Sequence, residues 1–255
     1  MVNTIVTLIT DFGEFYQGII KGIILNHIKD ATIIDISHSV ESQNVYQGAF
    51  LLYNSYKFFP KGTIHFAIVD PEVGSKRDAI IVETNNYFFV GPDNGILYPS
   101  CAEDGIIKIW KIKEKVIGKK VSYTFHGRDV FAPSVKFIVN RNLSSICEEK
   151  KDMKKINIFD CKLNGNLIKC RIIYIDKFGN LITNVRKNDI LKTGVRYIKF
   201  KNIKIPFVKT YSDVNVGDPL ALIGSFNTLE ISIREGSAKD FFKAVCSEIE
   251  LLLEV

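Results

Sequence analysis

The chain is expected to form an N-terminal α/β domain with a mostly parallel sheet, followed by a smaller antiparallel, barrel-like β domain. Two observations carry this. Residues 4–69 alternate apolar or β-branched runs with segments of helical periodicity, in the order β-α-β-α-β. From about residue 161 the texture changes to short strands separated by turns of Gly, Asn and Asp. The expected domains are therefore 1–160 and 161–255.

The run 4–10 (TIVTLIT) reads as a first buried strand, and it stops at Asp11-Phe12-Gly13. Apolar residues at helical spacing follow over about 15–28. Residues 31–36 (ATIIDI) form a second strand, 43–57 a second helix stopped by Pro60 and Gly62, and 63–69 (TIHFAIV) a third strand. Strand-helix-strand units of this kind pair in parallel. Segments 79–83 and 87–90 pair as a hairpin across Thr84-Asn85-Asn86, and GPDNG at 91–95 is a turn cluster. A helix begins after Pro133 within 129–140, and the charge run 148–155 (EEKKDMKK) suits a linker or an exposed edge. Behind it come strands over 167–176, 180–185, 196–200, 204–209, 219–224 and 228–233, with a closing helix over 238–246.

With 255 residues, 46% of them apolar and 24% charged, the core is ample and the composition is that of a folded globular protein. The net charge of +6 comes from scattered lysines, densest at 108–120 and 149–155, which alternate with strand residues and read as a solvated surface. No nucleic-acid partner is expected. The five cysteines are odd in number and form no CxxC, which suggests neither a disulfide framework nor a zinc knuckle. The N-terminus lacks a basic start and a long apolar run, and no segment approaches the about 18 apolar residues of a membrane span. A cytoplasmic protein without a membrane partner is the expectation. The four histidines show neither HxH nor HxxxH spacing, so no metal site is expected. A Walker loop, a GxGxxG turn and a GxSxG elbow are all missing from the sequence, which argues against nucleotide phosphates, dinucleotides and serine hydrolysis.

The candidate functional groups lie at strand ends. Asp11 follows the first strand, where open parallel sheets bind ligands, and it is suited to accept from two ribose hydroxyls or simply to cap a turn. In 66-FAIVDPEVGSKRDAIIV-82 a buried strand breaks open to expose Asp70 and Arg77, which form either a working pair or a clamp on the loop. FHGRDVFAP at 125–133 sets His126 between a glycine and charges, in a polar loop rather than a core. In YIDKFGNLITNV, residues 174–185, Asn180 sits at a strand-turn-strand junction with an amide able to read a base edge. Tyr211 offers a stacking ring, while Ser225 and Glu230 lie near one turn.

Taken together, TLITDFG, VDPEVGSKR, GPDNG, FHGRDVFAP, IDKFGN and GSFNTLEI resemble the S-adenosyl-L-methionine hydroxide adenosyltransferases, relatives of the fluorinase and chlorinase enzymes. These motifs run in family order over nearly the whole chain. The resemblance implies the same two domains and a homotrimer with its sites at subunit interfaces. It implies that Asp11 holds the ribose hydroxyls and that Asp70, Arg77 and His126 bind and activate water. It also implies that Asn180, Ser225, Glu230 and the backbone near Ala238 hold adenine and methionine, with Tyr211 stacking on adenine. Asp70 counts among both the catalytic and the substrate-binding residues. Where the family usually reads VDPGVG, this chain has Glu72; a position needing φ > 0 would strain it by about 1 kcal/mol.

The implied reaction is hydrolysis of S-adenosylmethionine, in either sulfonium configuration and with the R epimer a candidate, to adenosine and L-methionine. Water or hydroxide attacks C5′, and no cofactor is needed because S-adenosylmethionine is itself the substrate. Two alternatives stand beside it: a halogenase using the same adenosyl pocket, and a non-catalytic protein that binds adenosine or S-adenosylmethionine.

Overall fold

A computed structural model describes residues 4–117 and 121–255. Of the lysine-rich run at 108–120, Lys119 and Lys120 lie outside the described residues. The chain divides into two compact units, Met1–Ile156 and Asn157–Val255.

The first unit runs β1 (Ile5–Thr10), α1 (Gly13–His27), β2 (Thr32–Ser37), α2 (Val45–Ser55), β3 (Ile64–Ile68), β4 (Ala79–Thr84), β5 (Phe88–Pro92), α3 (Tyr98–Asp104), β6 (Ile106–Ile112), α4 (Glu114–Ile117), α5 (Ala132–Val139) and β7 (Cys147–Lys150). Its sheet has the order β2-β1-β3-β5-β4-β6-β7. β1 and β3 are buried almost throughout, as strands covered on both faces must be. Alternation sorts their side chains. Val6, Leu8, Ile64, Phe66 and Ile68 join Ile20 and Ile24 of α1 and Val135 and Ile138 of α5 in one core. The edge strand β2 is half exposed, which suits its single neighbour.

The expected parallel character holds for only part of this sheet. β1–β2, β1–β3 and β3–β5 are parallel, whereas β4–β5, β4–β6 and β6–β7 are antiparallel. The predicted hairpin forms, and its second strand, β5, takes the place beside β3. The sheet is therefore mixed. Its antiparallel half includes the β4–β5 hairpin, whose tight turn makes the second strand run back along the first.

The second unit contains β8 (Lys162–Asn164), β9 (Leu167–Ile175), β10 (Leu181–Arg186), α6 (Lys187–Leu191), β11 (Tyr197–Phe200), β12 (Ile203–Pro206), β13 (Pro219–Ile223), β14 (Thr228–Ile233), α7 (Ala238–Phe242) and β15 (Glu248–Glu254). The strands follow the order β12-β11-β15-β9-β10-β14-β13, with β8 added beside β9. A bridge between Phe207 and Ala221 brings the two ends together, so the sheet is nearly a closed barrel. The expected C-terminal helix stops at Phe242, because Lys243 takes a left-handed conformation at φ 45°. Residues 248–254 then form a strand that buries Leu251 and Leu253 on alternate positions between β11 and β9.

Among the described residues, no helix is long and apolar enough to cross a membrane.

Candidate functional site

In the first unit, Asp11 and Asp70 leave the same carboxyl edge of the sheet, since β1 and β3 are parallel neighbours with Thr10 opposite Ile68. Such edges bind ligands because loops and strand ends are free of the packed layers there. Asp11 accepts the backbone N–H of Gln43 at 2.9 Å. The turn that carries it is pinned from below. Thr10 Oγ1 accepts from the Phe12 N–H at 3.3 Å and lies 2.8 Å from His38 Nδ1, and His38 Nε2 is 3.0 Å from Asp35 Oδ1. Burial would raise the Asp35 carboxyl, but hydrogen bonds from Lys21 and His38 outweigh it and hold the group below its ordinary value.

Asp70 and Arg77 form a bidentate pair. Arg77 Nε donates to both carboxylate oxygens at 3.0 Å, and Nη2 donates to Oδ2 at 2.5 Å. Both side chains are almost sealed from solvent, 4% exposed for Arg77 and 6% for Asp70. The loop between them turns at Gly74, where φ is +77° and an added Cβ would lie 2.4 Å from the Tyr123 carbonyl oxygen. That close approach packs the Arg77 loop against the segment leading to His126. Asn94, from the GPDNG turn, fixes the strand end by donating to the Val69 carbonyl at 2.7 Å. Glu72 is absent from the residues with positive φ, so the strain considered for it does not arise; its side chain lies 3.7 Å from Lys154 instead.

His126 completes the group. Arg77 Nη2 is 2.8 Å from His126 Nδ1, and a guanidinium can only donate, so the imidazole accepts at Nδ1 and carries its proton on Nε2. Burial lowers the His126 pKa from its ordinary value, with Glu114 opposing and Arg77 adding to the shift. The neighbouring Arg128 and Asp129 pair with each other at 2.7 and 2.8 Å, and Asp129 also accepts from the Ser122 N–H. They brace the loop. Sequence reasoning missed Glu114, whose Oε1 lies 3.7 Å from Arg77 Nη1 and 3.5 Å from His126 Nδ1. It is embedded in the charge-rich run KIKEKVIG, where nothing marks it off from solvated neighbours.

In the second unit, Asn180 and Tyr211 line one cavity of about 450 Å³ together with Phe178, Ile233, Glu235 and Gly236. Asn180 is oriented by Asp176, which accepts its backbone N–H and its Nδ2, both at 2.9 Å. Gly179, at φ +83°, lets this turn press on Ser237, where a Cβ would come within 2.2 Å of Oγ. Tyr211 donates from its hydroxyl to buried Glu230 Oε1 at 2.5 Å, and Ser232 donates to the same oxygen at 2.9 Å. Burial and the bond to Glu230 push the Tyr211 phenol well above its ordinary range. Glu230 therefore anchors the ring through its edge while the face stays half exposed. Ser225 is exposed on the turn after β13. The Ala238 methyl is buried in the barrel core, so any ligand contact there is through its backbone. Asp176 and Ser232 are further residues that the candidate set left out.

Comparison with known proteins points to one family over most of the chain. Residues 6–146 match the family model of the SAM hydroxide adenosyltransferase N-terminal domain, and residues 170–248 match that of the C-terminal domain. The chain is 39% identical, over 97% of its length and 95% of the relative's, to an (R)-S-adenosyl-L-methionine hydrolase of Methanocaldococcus jannaschii. It is 24% identical, over 90% of its own length and 91% of the relative's, to a fluorinase of an Actinoplanes species. Among solved structures, an uncharacterized conserved protein from Thermotoga maritima superposes with a TM-score of 0.86 at 30% identity, covering 98% of this chain and all of the other.

Proposed function

The chain belongs to the SAM hydroxide adenosyltransferase family, and on that premise we propose that it hydrolyses S-adenosyl-L-methionine, the R epimer by preference, to adenosine and L-methionine. The observation that carries the chemistry is the buried cluster of Asp70, Arg77 and His126 at the carboxyl edge of a sheet. The preference for the R epimer rests on the name of the 39% identical relative.

The sulfonium makes methionine a neutral leaving group, so the reaction needs a placed nucleophile and uses no cofactor. A water lone pair forms the C5′–O bond while the C5′–S bond breaks, and its electrons remain on sulfur as the thioether. Arg77, fixed by Asp70, polarises the water and favours its developing hydroxide character. The water proton passes to His126 at Nδ1, exchanging the bond from Arg77 for an N–H, and from there to solvent. Alignment of oxygen, C5′ and sulfur supplies much of the rate, an effect that reaches about 7–11 kcal/mol in well-oriented systems. Asp11 and Asp70 hold the ribose and the water. Asn180, Ser225, Glu230 and the Ala238 backbone hold adenine and methionine, with Tyr211 stacked on the base. The working assembly is a homotrimer with substrate sites at subunit interfaces. The half-exposed rings of Tyr211 and Tyr16 and the more exposed Phe15 and Phe178 support it.

Turnover of each epimer in oxygen-18 water, followed by mass spectrometry, tests the reading. Label at the adenosine 5′ oxygen is the expected result. Unlabelled product, or no adenosine from either epimer, overturns it, and sedimentation gives the oligomer mass independently.

A further inference from the structure

The Arg77 guanidinium has five N–H groups, and three are spent within the cluster: Nε–H and one Nη2–H on Asp70, the other Nη2–H on His126. Nη1 is buried and has no hydrogen-bond partner among the described residues. The face of Arg77 left to act on a nucleophile is therefore the Nη1 face. One charged group stands against that face. Glu114 Oε1 is 3.7 Å from Nη1, beyond a direct hydrogen bond but within ion-pair reach, and 3.5 Å from His126 Nδ1. Its side chain is 35% exposed and starts the short helix α4, so it has freedom to yield to a small molecule. Arg77 and Glu114 also line a groove of about 340 Å³, together with Ser75, Lys76, Asp78 and Lys113 among others.

We propose that Glu114 is a specificity residue that selects water over a halide ion as the nucleophile. The inference rests on the hydrolase reading above. Water at the Nη1 face accepts from Arg77 and donates to Glu114, satisfying both. A halide also accepts from Arg77, but it has no proton to give and meets a carboxylate at contact distance. Asp70 already offsets the Arg77 charge, and His126 is neutral while it accepts from Arg77. Glu114 thus turns the immediate surroundings of the nucleophile to a net charge of about −1 by this count of groups. Lys76 and Lys113, which also line the groove, are exposed to solvent and are screened. Once the water proton reaches His126, Glu114 also faces the new imidazolium.

The experiment compares wild type, Glu114→Gln and Glu114→Asp in potassium chloride against potassium gluconate of equal ionic strength. Hydrolysis and chlorinated adenosine are both read by mass spectrometry. Chloride line broadening by chlorine-35 NMR, which needs no turnover, is measured on the same proteins and on Glu114→Ala. The expected result is at least a tenfold greater chloride sensitivity in Glu114→Gln, with Glu114→Asp near wild type. Broadening should strengthen in Glu114→Gln and Glu114→Ala only. Equal chloride sensitivity and equal broadening in wild type and the neutral variants overturn the proposal, even where Glu114→Gln has lost hydrolysis. A wild type that makes no adenosine sinks the hydrolase reading instead, and the NMR comparison still decides whether Glu114 excludes the anion.

Discussion

Arg77 Nη2 donates to His126 Nδ1 across 2.8 Å, which ties the protonation of the imidazole to the position of the guanidinium. A second proton on Nδ1 displaces Arg77 and places two cations side by side. Burial already lowers the His126 pKa from its ordinary 6.5, so the neutral imidazole dominates at neutral pH. The sign is therefore fixed: kcat/KM falls on acidification along a limb centred below pH 6.5. His126→Ala should remove this limb and cut kcat at least a hundredfold, by the usual weight of general acid–base groups. A pH profile of kcat/KM checks it, and an acid limb centred above 6.5 refutes it.

Arg77→Lys retains the charge but loses the fork that grips both Asp70 oxygens while reaching His126. Turnover should fall more than tenfold with KM changed less than threefold. Arg77→Ala, which strands the buried Asp70 carboxylate, should in addition destabilise the fold by about 3–5 kcal/mol. Steady-state kinetics paired with denaturant midpoints separates the two effects. A parallel loss of binding and turnover in Arg77→Lys would leave only a structural role.

Tyr211 carries two separable functions, a ring face and a hydroxyl bound to Glu230. Tyr211→Phe keeps the face, and Ser232 still satisfies Glu230 Oε1, so KM should rise less than threefold. Tyr211→Ala removes the stacking surface, worth about 1–3 kcal/mol per base, and KM should rise tenfold or more. Similar KM values for the two variants would show that the ring does not stack on the substrate.

Much of this could be read in the chain because the signals were local. The runs 4–10 and 63–69 are strands buried on both faces, and the polar break after Val69 marks the edge where Asp70 and Arg77 meet. What escaped was set by pairing across long sequence distances. β6 is held by β4 and β7, and β15 joins β9 and β11, none of which its own sequence announces. The parallel expectation holds as far as β5 and fails beyond it, because the hairpin sets β4 antiparallel to β5 and the pairs β4–β6 and β6–β7 are antiparallel as well. Glu114 was illegible for a similar reason, since only the fold brings it to Arg77 and His126 from a run of surface-like charges. The roles of His38 and Asp35 as supports for the Asp11 turn likewise depend on β1 lying beside β2.

His65 gives the fold an acid weakness away from the site. It is fully buried on β3, 2.8 Å from Thr7 Oγ1 and stacked on Phe89, with Tyr56 and Tyr87 edge-on. Burial lowers its pKa from 6.5 to about 3, so it stays neutral in the folded protein while the unfolded chain takes up a proton. Between those values the unfolded state binds more protons, and stability falls as pH falls, at a limiting slope of about 1.4 kcal/mol per pH unit. Above pH 6.5 this group contributes no slope. Replacing His65 by Phe together with Thr7 by Val removes the titrating ring without stranding the Thr7 hydroxyl. Urea midpoints at pH 7 and pH 4.5 should then converge relative to wild type, whose midpoint drops more on acidification. An equal drop in both proteins would place the acid sensitivity elsewhere.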